Sequence, residues 1–191
     1  MIIQANSQQF AARVRNVPVS FIREILKVAS DPDIVSFAGG LPSPDLFPAE
    51  ELGESAKRVF SKRGVQALQY SSTEGYLLLR EYIAERYRQR FKLNISAEQI
   101  LITNGSQQAV DLIGKIFIDP GDNVMLERPS YLGALQCFSI FQPVFKEVNL
   151  ERDGIDTAEL EDQLNVAPIK LFYCIPKFQN PTRVQYGLEK R

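Results

Sequence analysis

Leu101-Ile-Thr-Asn-Gly-Ser-Gln-Gln-Ala-Val-Asp-Leu-Ile113 reads as a short buried strand, a tight turn and a helix. Residues 100–103 are a compact apolar run rich in β-branched side chains, which predicts the strand. Gly105 permits a sharp turn with no side chain in the way. Ser106 is a favourable N-cap, and Ala109, Val110, Leu112, Ile113 and Ile116 fall on one helical stripe. Such a turn aims backbone N–H groups and the positive end of a helix dipole at one point, which suits a phosphate. The same residues also make an ordinary strand-to-helix connection, so the stretch needs support from its neighbours.

Outward from this stretch, strands and helices alternate. Strands are expected at 34–37, 123–127, 143–148 and 169–175. Helices are expected at 21–29, from Pro48 to about Ser61, at 76–91, at 132–140 and at 157–164. On 76–91, Leu79, Tyr82, Ile83 and Tyr87 recur at helical spacing, and the Arg-rich opposite side reads as a solvated face. Ser96-Ala-Glu-Gln99 has the pattern of a capping box. Residues 38–48 pack two glycines and three prolines into a rigid loop with exposed backbone, fit to receive a small carboxylate. The alternation predicts βαβ units and a mostly parallel sheet, a three-layer αβα fold preceded by an N-terminal helical arm. Ligands of such sheets bind at the carboxyl ends of the strands. There lie 103–106, 127–131 and 176–182, three loops expected to converge.

Composition narrows the function. The chain has 191 residues, 45% hydrophobic and 24% charged, with 22 basic against 23 acidic side chains and a net charge of −1. That balance is ordinary for a soluble globular protein and gives no basic excess for nucleic acid. No apolar run is long enough to span a bilayer, and the first residues lack the pattern of a signal peptide. Cys137 and Cys174 do not make a disulfide framework and fit a reducing cytoplasm. Histidine is absent. Ser-His-Asp and Cys-His nucleophiles and His-containing zinc sites are therefore excluded, and no metal site is expected. Proton transfer must rest on Lys, Tyr, Asp, Glu or a bound cofactor.

Pro176-Lys-Phe-Gln-Asn180-Pro-Thr182 sharpens the reading. Together with Ser36-Phe-Ala-Gly-Gly-Leu-Pro42, Leu68-Gln-Tyr-Ser-Ser-Thr-Glu-Gly-Tyr76 and Thr103-Asn-Gly-Ser-Gln-Gln-Ala109, it resembles the fold-type I, pyridoxal-phosphate-dependent aminotransferases. Within them it is most similar to the 2-aminoadipate/kynurenine group, from about Arg23 to the end of the chain. The resemblance implies a cofactor, pyridoxal 5'-phosphate, and substrates that are 2-amino and 2-oxo acids. It implies that Gly105, Ser106 and Gln107 cradle the cofactor phosphate, Tyr131 stacks on its ring, and Asn180 hydrogen-bonds the ring hydroxyl. Tyr70 is implied to reach the phosphate of a partner subunit, which makes a homodimer the expected assembly. Gly39, Gly40 and Asn180 are implied to face the substrate, and Arg23 to meet an acidic side chain on it. On this basis residues 1–48 are expected to form an arm, a helix and a substrate-facing loop, and 49–191 the first part of the cofactor-binding large domain.

Two departures qualify the resemblance. The family motif continues with Gly after Thr182, whereas this chain has Arg183, which puts the turn beside Asn180 in question. The family's Schiff-base lysine, its pyridine-nitrogen aspartate and its carboxylate-binding arginine fall beyond Arg191. None of Lys27, Lys57, Lys62, Lys92, Lys115, Lys146, Lys170, Lys177 and Lys190 has the expected serine-rich context. The chain is thus expected to be the N-terminal half of a cytoplasmic enzyme, inactive alone, and to break off inside a helix at 186–191. The alternatives are an inactive truncated paralogue that binds a partner, and another reaction of fold type I on the same cofactor. A sensor domain of a transcription regulator would need a basic DNA-binding domain ahead of the resemblance.

Overall fold

The computed structural model describes residues 11–14 and 42–191. The expected helix at 21–29, the strand at 34–37, and Arg23, Gly39 and Gly40 lie outside the described residues. The described residues divide into two compact units, one holding Gly105–Arg191 and the other holding 42–104.

The second unit holds two long helices. Helix α1 (Ala49–Leu68) begins after Pro48 and runs a further two turns beyond the expected end near Ser61. Arg63 interrupts it with a non-helical φ of −143°, so a kink rather than a stop follows Ser61. Helix α2 (Leu77–Phe91) starts on schedule with Tyr76 as N-cap and ends at Lys92 in the left-handed region. Its buried face is not the expected one. Leu79, Tyr82 and Tyr87 are exposed, and the buried residues are Arg80 and Ala84. Arg80, assigned above to a solvated face, donates from Nε to the Gly75 carbonyl at 3.1 Å and from Nη1 to the Ala97 carbonyl at 3.0 Å. It thereby ties α2 to the turn before it and to the short 3-10 turn Ala97–Gln99, whose Ser96/Gln99 capping box is present as read. A guanidinium can be buried when carbonyls accept hydrogen bonds from its N–H groups, and periodicity alone does not reveal such partners.

The strand expected at 100–103 does not form. The Ile102 N–H donates to the Glu74 carbonyl at 2.9 Å, and the Ile102 side chain fills the space where a Cβ on Gly75 would sit. The segment is anchored to a turn instead of to a ladder. Gly75 has φ +100°, a conformation and a close approach that only glycine accommodates.

The first unit carries the sheet. Helix α3 (Ser106–Phe117) leads to strand β1 (Asn123–Arg128), helix α4 (Leu132–Ser139) and strand β2 (Val144–Glu151). The short strand β3 (Gly154–Ile155), helix α5 (Thr157–Val166) and strand β4 (Leu171–Tyr173) follow. The strand order is β3-β2-β1-β4. β1 pairs in parallel with β2, from Asn123 opposite Val144 to Arg128 opposite Asn149, and with β4, from Val124 opposite Leu171 to Leu126 opposite Tyr173. β3 pairs antiparallel with β2 through a two-residue turn at Arg152-Asp153. Three boundaries shift: β2 extends past Val148, β4 is shorter than 169–175, and the helix expected at 186–191 is only a 3-10 turn, Leu188–Lys190.

Side chains of β1 alternate between two faces, as strand geometry requires. Val124 and Leu126 pack with Val110 of α3 and with Ala134, Cys137 and Phe138 of α4. Met125 packs with Val148, Ile155 and Tyr186, and Leu160 of α5 joins that face. Helices on both sides of a mostly parallel sheet make the three-layer αβα arrangement expected. Asp156 caps α5 by accepting from the Ala158 and Glu159 N–H groups. In α3 the N-cap is Gly105, not Ser106, and the buried residues are Val110 and Gly114. Ile113 and Ile116, placed above on the buried stripe, are exposed. The reason is Gly114: a Cβ there would strike the Phe141 ring, so the ring packs directly on the helix backbone and turns that face inward.

Arg80→Met is expected to destabilise the second unit by about 2–3 kcal/mol in denaturant unfolding, because two carbonyls lose their charged donor. Arg86→Met on the exposed side is expected to stay within roughly 0.5 kcal/mol of the unaltered protein. Equal effects of the two would contradict the buried role of Arg80.

Candidate functional site

β1 and β4 run side by side and in parallel, so the loops that follow them leave the sheet at the same edge. One loop carries Pro129, Ser130 and Tyr131, the other carries residues 174–183 with Asn180. A buried side-chain network joins them. Glu127 is 1% exposed near the end of β1. Its Oε1 accepts from the Ile175 N–H at 3.0 Å and from the Tyr186 hydroxyl, and its Oε2 accepts from Gln179 Nε2 at 3.0 Å. Gln179, also 1% exposed, donates a second time to the Pro129 carbonyl at 2.8 Å. Burial, and then the hydrogen bond to Glu127, push the Tyr186 hydroxyl far above a phenol's usual range, so it stays a donor. Burial, and then the Glu127 charge, likewise push up the Cys174 thiol.

The turn beyond Gln179 closes on itself. The Gln179 side-chain oxygen accepts from the Thr182 N–H at 2.9 Å and from its hydroxyl at 2.6 Å. The Arg183 N–H donates back to the Gln179 carbonyl, and the Gln179 N–H donates to the Val184 carbonyl at 3.0 Å. Asn180 sits in this turn with an exposed side chain. Arg183, at the position where the resemblance leads one to expect glycine, has φ +65°, in the left-handed region. The turn survives the substitution, at the strain a side chain adds there.

The N-terminus of α3 belongs to the same unit. Gly105 adopts φ +81°, a Cβ built on it would meet open space, and no side chain caps the helix. Gln107 donates from Nε2 to the Gly133 carbonyl at 3.2 Å, which ties the start of α3 to the start of α4. Tyr131 is the N-cap of α4, and its ring lies where a Cβ on Gly133 would be. Burial raises the neighbouring Tyr173 hydroxyl, with smaller contributions from Tyr131 and Glu127. The Ser130 hydroxyl is buried and makes no hydrogen bond to any described residue.

The structure therefore brings Gln107, beside Gly105 and Ser106, to the Tyr131 loop, and joins that loop to the turn bearing Asn180. Tyr70 lies in the other unit, fully exposed. The motif reading singled out Asn180 and passed over Glu127, Gln179 and Tyr186. Their only sequence signal is an acidic residue amid the apolar strand run Val124-Met-Leu-Glu127, which points to a buried partner. Open space at a glycine, a helix start without a side-chain cap and an aromatic face beside it suit a phosphorylated aromatic group. Among the described residues no cluster of His, Cys, Asp and Glu could hold a metal ion, and no helix is long and apolar enough to cross a membrane.

The family model described as aminotransferase class I and II matches residues 33–184. The chain is 47% identical over 176 residues to a 2-aminoadipate transaminase of Thermus thermophilus, covering 92% of this chain and 43% of that protein. It is 42% identical over 187 residues to aromatic-amino-acid aminotransferase 1 of Thermococcus litoralis, covering 95% and 45%. A crystal structure of alpha-aminoadipate aminotransferase from Thermus thermophilus, complexed with N-(5'-phosphopyridoxyl)-L-leucine, superposes with a TM-score of 0.85. At 44% identity it covers 97% of this chain and 45% of the other. The chain spans about half the length of the curated relatives it matches.

Arg183→Gly is expected to raise stability by roughly 0.5–1 kcal/mol, since relief of the left-handed strain exceeds the added entropy of an unfolded glycine. Thermal unfolding measures it, and a lower Tm would contradict the strain assigned to Arg183.

Proposed function

The chain belongs to the class I and II aminotransferase family, and on that footing we propose that it builds part of a pyridoxal 5'-phosphate site that moves an amino group from a 2-amino acid to a 2-oxo acid. The observation that carries this reading is the assembly, within one unit, of the α3 N-terminus, Tyr131 and the Asn180 turn at the carboxyl ends of β1 and β4. When bound, the cofactor supplies the electron sink for the exchange.

The remaining chemistry is the chain's own. Ser106 and Gln107, with the backbone after Gly105, offer amide donors and the helix dipole to the phosphate. Gly105 leaves room for its close approach. Tyr131 supplies an aromatic face, held by its packing over Gly133. Asn180 offers its side-chain amide to the ring hydroxyl from a turn whose backbone is engaged on both sides. Ser130 has a buried hydroxyl able to serve a polar group beside Tyr131.

We assign no catalytic base within this chain. Lys115 pairs with Asp111, Lys170 with Asp122, and Lys190 with Glu151 and Asp153, so each of these ammonium groups is already committed to a carboxylate. Similarity to a 2-aminoadipate transaminase supports a dicarboxylic or long-side-chain amino acid as substrate; Arg23, Gly39 and Gly40 are assigned to it on the motif resemblance alone. Tyr70, exposed in its own unit, is read as reaching the phosphate site of a second copy in a homodimer.

Titration of the purified protein with pyridoxal 5'-phosphate, followed by absorbance and fluorescence, tests the site. Saturable binding is expected, with Gly105→Ala and Asn180→Ala each weakening it about tenfold, equivalent to about 1.4 kcal/mol. Borohydride is expected to fix no cofactor to a lysine of this chain. Unchanged affinity in both variants would refute the cradle, and a single reduced lysine would refute the assignment of the base elsewhere.

A further inference from the structure

We propose that Glu127 is a positioning residue: its buried carboxylate fixes which way the Gln179 amide points, and through it the turn that presents Asn180. The function given to Asn180 rests on the reading in the preceding subsection; the hydrogen-bond lock itself does not.

An ionised carboxylate only accepts hydrogen bonds, whereas a glutamine amide donates on one side and accepts on the other. Glu127 Oε1 is taken by the Ile175 N–H and the Tyr186 hydroxyl, so Oε2 is left to face Gln179. Only the NH2 side of Gln179 can meet it. That side also reaches the Pro129 carbonyl, and the oxygen side is thereby aimed at Thr182, whose N–H and hydroxyl both donate to it. The Thr182 hydroxyl oxygen in turn accepts from the Val184 N–H at 3.2 Å. The Gln179 orientation is thus set by two acceptor-only groups on one side, the Glu127 carboxylate and the Pro129 carbonyl, and it carries through Thr182 to Val184. Among the described residues no Lys or Arg forms an ion pair with Glu127, so these neutral donors are its compensation for burial.

Glu127→Gln is nearly isosteric and breaks the logic. Its amide cannot satisfy both sides, and in either orientation one N–H group faces another donor. If Gln179 flips to accept, it turns its NH2 onto the two Thr182 donors and abandons the Pro129 carbonyl. The reciprocal exchange, Glu127→Gln with Gln179→Glu, restores a consistent pattern. The amide introduced at position 127 then accepts from Ile175 and Tyr186 and donates to the carboxylate introduced at position 179, which still accepts from Thr182. The Pro129 carbonyl loses its donor and faces a carboxylate oxygen instead, so the restoration is partial. Tyr186→Phe removes one bond to Glu127 but leaves the Gln179 orientation untouched.

Amide hydrogen exchange on the protein without cofactor decides the lock. Glu127→Gln is expected to speed exchange at Thr182 and Val184 by about tenfold or more, with the β1–β2 ladder unchanged. The double exchange is expected to restore most of the slow exchange at Thr182 and Val184, and Tyr186→Phe to leave the turn protected. Unaltered exchange at the turn in Glu127→Gln overturns the proposal, as does a loss spread evenly over the ladder. So does equal loosening in Tyr186→Phe, which would mark plain loss of packing. Should Glu127→Gln fail to fold, the double exchange decides: a folded protein with a protected turn supports the lock, and an unprotected turn overturns it.

Cofactor binding supplies the second readout. Glu127→Gln is expected to weaken pyridoxal 5'-phosphate about tenfold in the unaltered background and not at all beside Asn180→Ala. An equal loss in both backgrounds removes the positioning role. No binding by the unaltered protein, or no effect of Asn180→Ala, is instead a failure of the proposed function, and the exchange result then still decides the lock.

Discussion

A carboxylate taken out of water must find several hydrogen bonds or forfeit several kilocalories. Glu127 finds them in the Ile175 N–H, the Gln179 amide and the Tyr186 hydroxyl. These donors come from a segment some fifty residues further along, so satisfying one charge forces the chain after β4 to return over the end of β1. Tyr186 then closes the core on the Met125 face, beside Val148 and Ile155. A polar obligation and an apolar one are met by the same side chain. This makes the loop after β4 part of the core rather than an appendage to it.

β1 is the strand through which both faces communicate. Val124 and Leu126 belong to the layer of α3 and α4, and Met125 belongs to the layer of α5. The candidate site lies where this two-sided burial ends, because beyond Arg128 the chain leaves the sheet. Tyr131 and Asn180 are therefore held by the rigid part of the unit without being buried in it. That is the usual relation between an open parallel sheet and its ligand.

Much of this was legible in the sequence, and the failures share a cause. Parallel strands after helices, the α5 start at Thr157, the capping box at Ser96, and the loops after β1 and β4 follow from local chemistry and period. What periodicity could not supply was the identity of the partner. Arg80 sits on the polar side of its helix and is buried because the carbonyls of Gly75 and Ala97 wait for it. Ile116 sits on the apolar side and is exposed because Gly114, not a larger residue, admits Phe141. Residues 100–103 have the composition of a strand and lack its ladder, since Glu74 and Gly75 take their place as neighbours. In the candidate site, motif resemblance reached Asn180, and only the fold revealed the Glu127 and Gln179 contacts that hold it.

Helix α1 has no buried residue along its twenty positions, and Leu52, Val59, Phe60, Val65 and Leu68 all meet solvent. Helices usually draw most of their stability from an apolar face packed on something else. Here the apolar side chains are wet while the whole molecule carries a net charge of only −1, too little for strong repulsion between copies. This helix thus adds a row of wetted hydrocarbon to the apolar side chains exposed elsewhere, among them Leu46, Val166 and Leu188. Sulfate-type salts, which penalise wetted hydrocarbon, act on it strongly, whereas simple charge screening has little to remove.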